Sequence, residues 1–375
     1  MLTIIGLMSG TSADGIDAAL ISTDGQSECK QLDSHFAPYR PSTRTEIMKA
    51  RSAPQHYLAD ANNREALIAA ITQDHISAIN HLIKNVTHNI DLIGFHGQTI
   101  YHNPKLGRTM QLGDGNVMAR MTGIDTIYDF RQADINAGGQ GAPLAPIYHQ
   151  FLVEKAGIPQ PAVIINIGGV ANLTYINTAN NQLLGFDVGP GNGLMDALLQ
   201  RETGDPFDQG GQIAAGGIAN MDFVETALLD MFFADPPPKS LDWGAFLALL
   251  EQPQLSKLSL PDAMATLCAF SAAAILMAID DLPIPPAAAI VAGGGRHNQT
   301  LMAAIRAGLP DGCQLLDAGE YGLHSDMIEA ELIGFLAARH HYQLPSSFAS
   351  TTGAKSPQIA GVRATAYKNA SDPGT

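Results

Sequence analysis

Glycine-rich turns at the ends of apolar runs govern what this chain can fold into. Residues 3–24, TIIGLMSGTSADGIDAALISTD, set two short apolar runs around a Gly/Ser/Thr/Asp turn, the pattern of a β-hairpin with a wide polar loop. Residues 163–177, VIINIGGVANLTYIN, repeat that arrangement. Two such hairpins, one opening each half, predict a duplicated architecture with loops that face one another across a cleft.

Between the hairpins, Leu67, Ile68, Ile71, Ile76, Ile79, Leu82 and Ile83 keep helical spacing within about 56–89, and DLIGFHG then reads as a buried strand. The second half continues with LLGFDVGPGNGLMDALL, a strand breaking into glycines before a helix that starts near Leu194. An Ala/Leu/Met-rich helix follows over 263–281, and AAAIVAGGGRHNQTLMAAI again runs strand, glycines, helix. This alternation predicts an α/β fold. A length of 375 residues favours two domains over one core. The expected division is 1–135, completed by the tail at about 350–375, against 136–349. The runs Asp235-Pro-Pro-Pro-Lys239 and Leu282-Pro-Ile-Pro-Pro286 read as stiff connectors.

Charge excludes one class of partner. With 21 basic and 36 acidic residues the net charge is −15, a field that repels the backbone of a long nucleic acid. A single nucleotide can still be held locally by backbone N–H groups and a metal ion. Cys29, Cys268 and Cys313 lie far apart and read as ordinary thiols of a reducing compartment. The N-terminus MLTIIGLMSG has no basic flank and predicts a first strand, not a signal peptide. The most apolar later stretch, Ala272 to Ile279, is too short to span a bilayer, so no membrane anchor is expected and the cytoplasm is the expected location.

Four constellations carry chemistry. In Gly10-Thr11-Ser12-Ala13-Asp14-Gly15-Ile16-Asp17, glycines permit positive φ, hydroxyls donate, and two carboxylates stand three apart, as a phosphate-and-metal loop requires. The same residues also suit a plain hairpin turn. In Gly185-Phe186-Asp187-Val188-Gly189-Pro190-Gly191-Asn192-Gly193, an acid at a strand end precedes glycines that open a helix N-terminus, where an anion is bound by backbone and dipole. No GxxxxGK[ST] loop is present. Gly293-Gly294-Gly295 removes three adjacent side chains after a strand, which lets a base or ribose lie on the backbone. The run from Tyr128 to Leu144 packs polar groups into a glycine-rich segment that can bend and grip a polyhydroxylated ligand, with Arg131 suited to a two-pronged carboxylate contact. His96, in GFHGQT, follows a buried strand and is either a site residue or a hydrogen-bonded structural histidine. His340-His341 read as a solvated helix face, Trp243 reads as core, and no zinc motif occurs.

Taken in order, MSGTSADGID, GFHGQTIYHNP, QLGDGN, DFRQADINAGGQGAPL, NIGGVANLTYI, GFDVGPGN and AGGGRHN resemble the signature of the anhydro-N-acetylmuramic acid kinases, from Gly6 to about Leu336. The resemblance implies two actin-like, ribonuclease H-like domains related by duplication, with ATP in the cleft. It implies that Gly10 to Asp17 hold ATP phosphates together with Gly168, Gly169, Gly189, Gly191 and Asn192, and that Gly293 to Gly295 lie by the adenosine. It also implies that Asp187 is the catalytic base, that Arg131 and Glu329 contact the amino sugar with His96 and Gly97 nearby, and that Glu331 is the rival register for Glu329. The implied reaction opens a 1,6-anhydro sugar with water and phosphorylates the released O6, using ATP and Mg²⁺ whose ligands stay undefined, Asp14 and Asp187 among the candidates. A homodimer is implied as well. Two rivals remain at this stage: a kinase of an ordinary amino sugar, and a non-catalytic ATP- or sugar-binding regulator. Family members usually carry a larger apolar residue at Ala13 and often Thr at Val188.

Overall fold

A computed structural model of the chain describes residues 1–10, 13–103, 106–241, 244–321 and 327–366, the side chains of Leu58 and Asn85 aside. Its strands are β1 (Leu2–Ser9), β2 (Gly15–Thr23), β3 (Cys29–Pro38), β4 (Leu92–Asn103), β5 (Arg108–Leu112), β6 (Thr126–Tyr128), β7 (Ala162–Ile167), β8 (Ala171–Asn177), β9 (Gln182–Gly189), β10 (Ala288–Ala292), β11 (Gln314–Leu316) and β12 (Val362–Ala364). The helices needed here are α1 (Ala61–Leu82), α2 (Gly193–Thr203), α3 (Leu260–Asp280), α4 (Gln299–Gly308) and α5 (Ile328–His341).

The chain divides into two compact units, Met1–Leu144 with Asp326–Ala349 and Gly353–Thr375, and Ala145–Ser325 with Ser350–Thr352. Each unit is built on one sheet. In the first, the order is β12-β6-β4-β1-β2-β3 with β5 paired to β4. There β1, β2 and β3 are antiparallel neighbours, while β4 and β6 join in parallel. In the second, the order is β11-β10-β7-β8-β9, with β7, β8 and β9 antiparallel and β10 and β11 parallel. Thus β3-β2-β1-β4-β6 and β9-β8-β7-β10-β11 share one strand order and one set of directions. The two hairpins read from sequence open these repeats, with Met8 opposite Asp17 in one and Ile167 opposite Ala171 in the other.

The boundary differs from the expected one. It falls after Leu144, not after residue 135, and residues 326–349 join the first unit. Packing explains this. Gly6 of β1 and Gly94 of β4 are register partners. A Cβ on Gly6 would stand 1.9 Å from the Ala330 carbonyl oxygen, and one on Gly94 would stand 2.6 Å from that of Ile333. The paired glycines therefore clear a flat patch on which α5 lies against the sheet. Ile328, Ala330, Leu332, Ile333, Phe335 and Leu336 are all buried there.

Helix α3 corrects the membrane reading in part. The apolar stretch belongs to a 21-residue helix that is long and apolar enough, by composition alone, to cross a membrane. Its Leu267, Phe270 and Ile275 are instead fully buried in the core of the second unit, with Val163, Ile165, Leu199 and Leu301. Burying each such side chain contributes about 1.5–3 kcal/mol. Ser259 caps the helix by accepting the Asp262 N–H.

Candidate functional site

In the first unit, a buried chain of hydroxyl and amide groups holds the start of the first glycine turn. Tyr39 Oη donates to Ser9 Oγ at 2.9 Å, and Ser9 Oγ donates to Gln98 Oε1 at 2.5 Å. Gln98 Nε2 then donates to the Gly10 carbonyl at 3.1 Å. Burial pushes the Tyr39 phenol well above its ordinary value, so it stays a donor. Gln98 and Ser9 lie within the motifs GFHGQT and MSGTSADGID but are not singled out by them, and Tyr39 gives no cue. Thr11 and Ser12 lie outside the described residues. Ala13 and Ile16 are core residues and offer a ligand only backbone, whereas Asp14 is exposed. A Cβ on Gly15 would meet the Phe36 ring at 2.5 Å, so strand packing accounts for that glycine.

A second cluster of this unit gathers around Arg131. Its Nε donates to His96 Nε2 at 3.1 Å and its Nη1 to the Gly141 carbonyl at 2.7 Å. The Gly141 N–H in turn donates to Asp134 Oδ2 at 2.6 Å, while Ser347 Oγ donates to Asp134 Oδ1 at 2.5 Å. Gly97 carries φ +73°, and a Cβ there would crowd the Leu112 carbonyl. Burial, with Arg131 adding its charge, pushes His96 down to about 3, and the same two causes push His102 down to about 4. Both imidazoles are neutral at physiological pH. Glu329 is exposed on the first turn of α5, whereas Glu331 is buried. Two residues turn a helix by about 200°, so the two acids cannot share a face. His340 is not a simply solvated residue, because its Nδ1 donates to the Ala360 carbonyl at 2.9 Å.

In the second unit, the two glycine turns are zipped together. Asn192 N–H donates to the Gly168 carbonyl at 2.8 Å, and Gly193 N–H to the Gly169 carbonyl at 3.0 Å. The helix N-terminus expected to bind an anion thus already uses these two amides. Gly191, at φ +46°, would place a Cβ 2.4 Å from the Gly168 oxygen, and Gly189 would place one 2.8 Å from Ala274 Cβ. Close chain approach accounts for both glycines.

Asp187 lies near the end of β9, beside a bulge between Ala171 and Asn172 of the neighbouring strand. Its Oδ2 accepts the Leu241 N–H at 2.7 Å, and its own N–H donates to the Lys239 carbonyl at 2.9 Å. Sequence reasoning missed this segment and treated 235–239 as a connector. It also missed Asp196 on the first turn of α2, which burial, and then the charge of Asp208, push up to about 7. Of the triple glycine, Gly293 (φ +78°) and Gly295 are forced by contact with Asn166 and Ile167, while a Cβ on Gly294 would meet open space. Packing therefore explains two of the three. Trp243 lies outside the described residues, as does Asp326. Among the described residues, no group of three or more His, Cys, Asp or Glu could hold a metal ion.

The family model and the sequence relatives carry the same description. A family model described as anhydro-N-acetylmuramic acid kinase matches residues 2–366. A relative of that description from Rhodopseudomonas palustris (strain HaA2) is 41% identical over 379 residues, covering 97% of this chain and 99% of its own length. Others are 42% identical in Bradyrhizobium diazoefficiens, covering 96% of this chain and 99% of the relative, and 39% identical in Zymomonas mobilis, covering 95% and 98%. Among solved structures, the activator of 2-hydroxyisocaproyl-CoA dehydratase from Clostridium difficile aligns with a TM-score of 0.43 and 11% identity, over 91% of this chain and 97% of that one.

Proposed function

The chain belongs to the anhydro-N-acetylmuramic acid kinase family, and on that premise we propose that Asp187 is the general base of a coupled hydrolysis and phosphorylation. Asp187 takes a proton from water as the water oxygen bonds to C1 of 1,6-anhydro-N-acetylmuramic acid and the C1–O6 bond breaks. The released O6 attacks the γ-phosphorus of ATP, giving N-acetylmuramic acid 6-phosphate and ADP. The observation that carries this role is the clamp on Asp187, whose Oδ2 is fixed by the Leu241 amide at a strand end beside the glycine turns. A general base must be held in register with its water, and such catalysis contributes roughly 10²–10⁴-fold.

The other assignments follow the same chemistry. ATP phosphates are the ligand we assign to Gly10 to Asp17 in the first unit, and, in the second, to Gly168, Gly169, Gly189, Gly191 and the side chain of Asn192, whose N–H is engaged. Gly294 supplies the open surface for adenosine. The hard carboxylate oxygens of exposed Asp14 fit Mg²⁺, which when bound with ATP neutralises charge developing on the transferred phosphoryl group. Arg131 receives the lactyl carboxylate, and exposed Glu329, not buried Glu331, meets the sugar. His96, with both ring nitrogens engaged, acts on the sugar only through Arg131. ATP as the donor fits a cytoplasmic location.

Turnover in heavy-oxygen water tests the reading. The label is expected at C1 of the phosphorylated sugar, and Asp187→Asn is expected to bind ATP yet turn over 10²–10⁴-fold more slowly. Label absent from C1, or near-normal turnover in Asp187→Asn, would remove the assignment.

A further inference from the structure

We infer that Lys239 is the positioning residue of the general base, acting by pinning the backbone segment that brackets Asp187; the inference rests on Asp187 being that base. Lys239 and Leu241 grip residue 187 from one side, the first accepting its N–H at 2.9 Å and the second donating to its Oδ2 at 2.7 Å. A carboxylate held this way keeps its plane and favours its charged form. The grip is only as firm as the segment that makes it.

Lys239 itself fixes that segment. Its Nζ donates to the Phe232 carbonyl at 2.9 Å and the Phe233 carbonyl at 3.2 Å, and stands 4.7 Å from the centre of the Phe232 ring. Phe233 is buried, stacked on Phe246 with ring centres 5.5 Å apart, and meets Phe270 edge-on at 5.8 Å. The ammonium therefore ties the segment to the aromatic part of the core. Pro236, Pro237 and Pro238 stiffen the short path between the anchor and the grip. The charged groups acting on Lys239 are Asp235 and Asp281. The Lys239 Nζ is engaged on the Phe232 and Phe233 carbonyls, so Lys239 acts through the backbone that holds Asp187.

The test is kcat against pH for the full-length wild type, Lys239→Met, Lys239→Arg and Asp187→Asn. Activity needs Asp187 deprotonated, so loosening the Leu241 bond raises its pKa and moves the acid limb of the profile upward. In Lys239→Met the limb is expected to rise by about one pH unit, with KM for ATP within about twofold. Lys239→Arg, which keeps donors for both carbonyls, restores the limb. Lys239→Gln, able to keep one, gives an intermediate rise and serves as the readout should methionine prevent folding. The rise persists at about 1 M salt, where charge acting through solvent is screened. A limb that does not move, or a rise that vanishes in salt, overturns the role of Lys239 while leaving the base in place. Near-normal turnover in Asp187→Asn overturns the base assignment itself.

Discussion

Arg131 and His96 fix one another: the guanidinium Nε donates to His96 Nε2 at 3.1 Å, and His96 Nδ1 donates to the Gly97 carbonyl at 2.9 Å. A guanidinium can only donate, so Nε2 must accept and the ring must carry its proton on Nδ1. Burial and the neighbouring cation keep that tautomer neutral. The arginine is thereby held by an acceptor that adds no charge of its own.

Arg131→Lys should therefore damage recognition of the carboxylate more than the chemical step. A lysine cannot reproduce the planar fork held by His96 and Gly141. KM for the lactyl-bearing anhydro sugar should rise about 10–100-fold, with kcat within about threefold. KM for an anhydro amino sugar without the carboxylate should barely change. Equal losses on both sugars would sink the assignment.

Three buried histidines should make the fold sensitive to acid. Burial is the leading cause that pushes His75 and His149 to about 4 and His96 to about 3, from an ordinary value of 6.5. Folded, they stay neutral; unfolded, they bind protons as pH falls below the ordinary value. The unfolded state thus holds more protons between about pH 4 and 6.5, and stability falls as pH drops through that window. Each contributes a slope of up to about 1.4 kcal/mol per pH unit. Urea midpoints measured at pH 7 and pH 5 check this, and equal values would contradict it.

Gly6→Ala should destabilise the first unit severely. The new methyl would stand 1.9 Å from the Ala330 oxygen and 2.6 Å from the Gly334 nitrogen, both backbone atoms of α5. Overpacking of this kind costs about 1–3 kcal/mol even where side chains can yield. Chemical denaturation should show at least that loss. A variant of wild-type stability would mean that α5 does not lie on the glycine patch.

Gly294→Ala and Gly295→Ala should separate binding from packing. A methyl at residue 294 meets open space, whereas at residue 295 it would stand 2.3 Å from the Ile167 side chain. The first variant should keep its melting temperature and raise KM for ATP several-fold. The second should lose about 1–3 kcal/mol of stability. An unchanged KM in Gly294→Ala would move adenosine elsewhere.

The elements themselves were legible because they follow from short-range chemistry. Apolar runs broken by polar turns made both hairpins, and the helical spacing of Leu67, Ile71 and Ile79 became the buried face of α1. Asp187 was legible as an acid before a glycine turn. Its partners were not, because a backbone amide at Leu241 leaves no mark on residue type. Gly168 and Gly191 likewise looked like ligand-binding glycines, and only their approach to one another showed that packing already requires Gly191.

By itself, then, the sequence determined the α/β alternation, the duplication of the hairpins and a set of candidate site residues, all consequences of local pattern and side-chain type. Tertiary structure alone decided that α5 belongs with the first sheet, that Glu329 is exposed while Glu331 is buried, and that Lys239 and Leu241 bracket Asp187. Those outcomes depend on contacts between residues tens to hundreds of positions apart. Their energies come from close packing and from satisfied backbone groups, quantities that exist only once distant segments have met.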